Sequence, residues 1–113
     1  MRKQMIENAA FEVATQVRMV EETIDTALAE LAELQSRMVR ARSVTRIGFG
    51  TSHEAFEKLA GTVQRLVEAR GAMAGCHAAL AEAQGHVPGL RTVAFGDGED
   101  CPEKPTGQLR VVA

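Results

Sequence analysis

Tryptophan and tyrosine are absent, and Phe11, Phe49, Phe56 and Phe95 are the only aromatic residues. A core built on large rings is therefore not expected, nor is an aromatic platform on which nucleobases could stack. Cysteine is nearly absent too: Cys76 and Cys101 are two separate thiols in different surroundings, not a disulfide framework. A reducing, cytoplasmic setting is the expectation that follows. No apolar run approaches the roughly 18 residues that a membrane span needs, and residues 1–13 alternate charged and apolar side chains in a way no secretory leader does. With 113 residues there is room for one domain, so a cofactor domain joined to a substrate domain is excluded.

What is present is charge and a strong apolar period. The net charge is -2, with 25% charged and 45% hydrophobic residues, a balance that predicts a folded chain. The charge is segregated. Residues 1–35 hold three basic and seven acidic side chains, residues 36–70 hold seven and three, and residues 71–113 hold three and five. Such asymmetry bears on association and not on fold.

Ile6, Ala10, Val13, Val17, Val20, Ile24, Ala27, Leu31, Leu34, Met38 and Ala41 recur at alternating spacings of four and three, the mark of a long amphipathic helix. Ala9, Ala14 and Leu28 widen the stripe, which suits a bundle better than a narrow zipper. Gly48 suits a left-handed position closing this helix, with Phe49 folding back on Val44, and Arg40, Arg42 and Arg46 favour its negative end. Thr51 and Glu54 have the spacing of a capping box that would open a second helix. Phe56, Leu59, Val63 and Leu66 form its first apolar stripe. Ala69, Met73, Cys76, Leu80 and Ala83 form the next, after a slip of one residue.

The predicted fold is all-α: a long antiparallel helical hairpin over residues 1–85, with helices at about 3–46 and 52–85, dimerising into an elongated four-helix bundle. Residues 86–113 contain Pro88, Pro102, Pro105 and four glycines, and read as an irregular tail with short extended pieces at 90–95 and 108–112. Residues 96–100 read there as a polar turn.

The polar residues assemble no familiar chemistry. On the apolar heptad, Glu21, Glu22, Asp25, Glu30 and Glu33 point around the outside of the first helix, as a solvated face would. No glutamate stands three residues before His53, His77 or His86, so the Glu-x-x-His motif of di-metal bundles is missing. Cys76 reads as a small buried residue on the seam. Cys101 stands beside Asp97, Glu99 and Asp100, whose charges oppose thiolate formation. Gly71 and Gly75 each cost a helix interior about 1 kcal/mol relative to alanine, so close approach of a neighbouring helix or of the tail is expected there.

These features lead to a non-enzymatic interaction or scaffold protein without a cofactor or metal, acting through a homodimer and protein partners away from membranes. Its core and dimer seam would comprise Ile6, Val13, Val17, Val20, Ile24, Leu31, Leu34, Met38, Phe56, Leu59, Val63, Leu66, Met73 and Leu80. Arg37, Arg40, Arg42, Arg46 and Lys58 near the turn form a candidate partner contact. Two alternatives remain: an anion or nucleic-acid module using those arginines, and a metal-dependent or sensory site using His77 with acids supplied across a dimer. Nucleic acid is the weaker partner, since overall basicity and a recognition motif are both lacking. In an antiparallel dimer, the basic turn of one chain would meet the acidic first helix of its mate.

Overall fold

The computed structural model describes residues 2–87. Two helices, α1 (Arg2–Thr45) and α2 (Phe49–Gln84), make up nearly all of that stretch, and no strand occurs among the described residues. The all-α helical hairpin read from the periodicity is the observed fold. The pieces at 90–95 and 108–112, the turn at 96–100 and Cys101 lie outside the described residues.

The contacts divide into two units. In one, residues 22–45 of α1 return through a three-residue turn into residues 49–72 of α2, and the antiparallel pairing is tied by Asp25 and Arg70. In the other, residues 2–21 of α1 pack on residues 73–87, tied by Glu21 and His77.

The turn differs from the expected one. Arg46, not Gly48, takes the left-handed conformation, at φ 60°. Gly48 instead opens α2: its carbonyl accepts the Ser52 amide at 3.2 Å, and the Ser52 hydroxyl donates to the Phe49 carbonyl at 3.1 Å. Thr51 and Glu54 are consequently inside the helix and form no capping box. Phe49 does not fold back on an apolar Val44, which is largely exposed; its ring lies 5.5 Å from the Arg42 guanidinium. The turn is thus shorter than expected because the glycine serves the start of one helix and not the end of the other. At its far end α2 stops where expected, with the Gly85 and His86 amides reaching the Glu82 and Ala83 carbonyls in tightened final turns.

The apolar seam is wider than the heptad and shifts only at its ends. In α1, Ala10 and Val17 are buried and Ile24, Leu31 and Met38 half-buried, as the heptad predicts. On its other edge Val20 and Ala27 are half-buried as predicted, together with Glu21 and Leu28, whereas Ala14 and Arg42 are covered in place of Val13 and Ala41. Ala10 and Ala14, two methyl-sized side chains, are buried together one turn apart.

In α2 the four-three alternation does not slip. It runs through Phe56, Leu59, Val63, Leu66, Met73, His77, Leu80 and Gln84, with the exposed Arg70 in step and bonded across to Asp25, while Cys76 and Ala83 are exposed. The buried-cysteine expectation is therefore corrected: His77, not Cys76, occupies the seam. Gly71 and Gly75 face open space, so the close approach expected within the chain is not made among the described residues.

A non-glycine residue held left-handed costs about 1 kcal/mol or more. Arg46→Gly should therefore raise stability to urea by up to about 1 kcal/mol, and Arg46→Val should lower it, as followed by helical circular dichroism. Equal midpoints for the two variants would contradict this turn geometry.

Candidate association face

Packing in the unit of residues 2–21 and 73–87 rests on small side chains. Ala10, Ala14 and Val17 are buried, Ile6, Val20, Met73 and Leu80 are half-buried, and Val13 remains 42% exposed. Within this line His77 is only 5% exposed, and its Nδ1 lies 2.8 Å from Glu21 Oε2. An ionised carboxylate can only accept, so Nδ1 carries the hydrogen and donates it. Glu21 is correspondingly half-buried on the contact line, which corrects its assignment to the solvated outer face. Within the chain, the acid beside His77 is Glu21.

The unit of residues 22–72 contains an open groove of about 700 Å³. Ala27, Leu31 and Leu34 from α1 and Leu66 from α2 supply its apolar floor, with Glu30 on the α1 side and Thr62 and Arg65 on the α2 side. Leu34 is 46% exposed there. Ile24, Met38, Phe56 and Val63 are half-buried on the contact line, and Leu59 is buried. Asp25 accepts from Arg70 Nε at 2.6 Å. That hydrogen bond, with the arginine charge behind it, holds the Asp25 carboxyl below its ordinary value of 3.8. Depression below the unfolded value means that the pair contributes fully above about pH 4 and is lost as pH falls through the folded value.

The five cations near the turn have separate roles. Arg37 and Arg40 both reach Glu33, at 2.9 and 3.7 Å, and Arg40 also donates to the Ser36 hydroxyl. Arg42 stacks on Phe49 at the edge of a hollow of about 310 Å³ lined also by Val39, Ser52, His53 and Phe56. Arg46 serves the turn. Lys58 borders a polar hollow along α2 with Glu54, Glu57, Gly61 and Arg65. Among the described residues, no three histidine, cysteine or acidic side chains converge as metal ligands would.

Comparison with protein-family models, with curated proteins and with solved structures found no match.

Counting apolar residues alone overlooked Glu21, Arg70 and Gln84. The missing signal is the seven-residue recurrence of Arg70, His77 and Gln84, which places all three on one line of α2. Truncating His77 removes a buried ring and its bond to Glu21, so His77→Ala should cost about 2 kcal/mol of unfolding free energy. Cys76→Ala, at the exposed neighbouring position, should stay within about 0.5 kcal/mol. The reverse ranking in urea melts would contradict the assigned seam.

Proposed function

We propose that this chain is a non-enzymatic helical interaction protein that works by self-association and by offering its helices to protein partners, with a second copy as its first partner. One observation carries this reading: the hairpin leaves its own seam open. Among the described residues the buried apolar side chains are Ala10, Ala14, Val17 and Leu59, and no large side chain is fully enclosed. Val13 and Leu34 belong to the sequence heptad yet are exposed within the chain, and Ala27 and Leu34 line the open groove.

Leaving a leucine-sized side chain in water forgoes about 1.5–3 kcal/mol relative to full burial. Domains this small ordinarily make up such a deficit through oligomerisation, a metal or disulfides, and the sequence contains only two cysteines. Charge does not oppose association, since residues 22–72 carry seven basic and seven acidic side chains. No described helix is long and apolar enough to cross a membrane, and we place the protein in the reducing cytoplasm. Anion or nucleic-acid capture is the weaker reading, because Arg37 and Arg40 already share Glu33 and Arg42 lies on Phe49.

Sedimentation equilibrium should give twice the chain mass of 12.2 kDa at micromolar concentration, weakening as salt rises. Leu34→Glu should return the protein to one chain mass with its helical signal retained, since Leu34 contributes little burial within the hairpin. A salt-indifferent wild-type monomer would overturn the proposal.

A further inference from the structure

The groove of residues 22–72 has rims of opposite charge. Glu30 stands on the α1 side and Arg65 on the α2 side, above a floor of Ala27, Leu31, Leu34 and Leu66. Arg65 lies back along its helix over Gly61, where a Cβ would come within 3.1 Å of the guanidinium Nη1. Glu30 makes no ion pair with Arg65 within the chain.

A groove that meets its own copy face to face can do so about one of two dyads. With the dyad across the helices, α1 meets α1 and α2 meets α2, which brings Glu30 towards Glu30 and Arg65 towards Arg65. With the dyad along the helices, α1 of each chain meets α2 of the other. Both rims then meet an opposite charge, and each pair occurs twice because the interface is isologous. Like-charge contacts oppose pairing and complementary ones set its orientation. The even balance of seven basic and seven acidic residues in this unit leaves no net repulsion between copies.

We propose that the groove of Ala27, Leu31, Leu34 and Leu66 is filled by the same groove of a second copy, with α1 of each chain against α2 of the other and Glu30 facing Arg65 of the partner subunit. This rests on the self-association reading and adds the surfaces and the orientation. It replaces the antiparallel dimer in which the basic turn meets the acidic first helix, because part of that charge is engaged within the chain: Glu33 by Arg37 and Arg40, and Asp25 by Arg70.

The test uses the full chain with Glu30→Arg, Arg65→Glu, and both together. Glu30 and Arg65 are exposed, so helical circular dichroism should be unchanged in all three. Each single variant should weaken the dimer about tenfold, because one substitution turns two attractive contacts into repulsive ones. Mixing the two single variants should yield a heterodimer of near wild-type affinity, and the double variant should recover wild-type affinity to within about threefold. A wild-type dimer whose affinity is unmoved by either single, or which the double variant weakens further, would overturn this interface while leaving self-association intact. A wild-type monomer would overturn both, and would assign the groove to another segment or another protein.

Discussion

Two helices pack on each other with no third to close the seam, and apart from Val17, Leu59 and His77 the large side chains on the contact line keep one flank in water. The rest of the structure follows from this constraint. A third or fourth helix would enclose Leu31, Leu66 or Val63; within this chain they remain half-buried. The hairpin can therefore accept polar residues on its contact line that a closed core would reject, provided that each finds a partner. His77 has Glu21, and Arg70 has Asp25. The first pair is part-buried and the second is exposed, so neither adds much net stability.

The existence, number and direction of the helices were legible from spacing alone. The phase of their contact was not. In α1 the apolar stripe is wide, and apolar counting does not tell that Ala14 and Arg42 are covered where Val13 and Ala41 are exposed. In α2 a stripe defined as apolar had to step aside at Arg70 and His77, producing an apparent slip that drew Cys76 into the seam. A heptad that admits paired polar residues runs straight through. The turn misled for a different reason: Arg46, Gly48 and Thr51 each carry a local signal, and only three residues separate the helices. Gly48 could close α1 or open α2, and its carbonyl bond to the Ser52 amide settles the choice.

The candidate association face divides in the same way. The residues set out as a seam include both the line used within the chain and the edge left over: Val17 and Leu59 belong to the first, Val13 and Leu34 to the second. That remainder is consistent with a protein whose fold is completed by association. The small, exposed positions Gly71, Gly75 and Cys76 on α2 present little side-chain bulk to an approaching neighbour.

If association completes the fold, stability must depend on protein concentration, because a second copy binds the folded hairpin and not the unfolded chain. Thermal unfolding followed at 222 nm over a hundredfold range of concentration is the most direct measurement. A midpoint that climbs steadily with concentration is the predicted result. A midpoint that stays fixed, with one chain mass throughout, would mean that the hairpin is stable with its seam open, and would contradict the account.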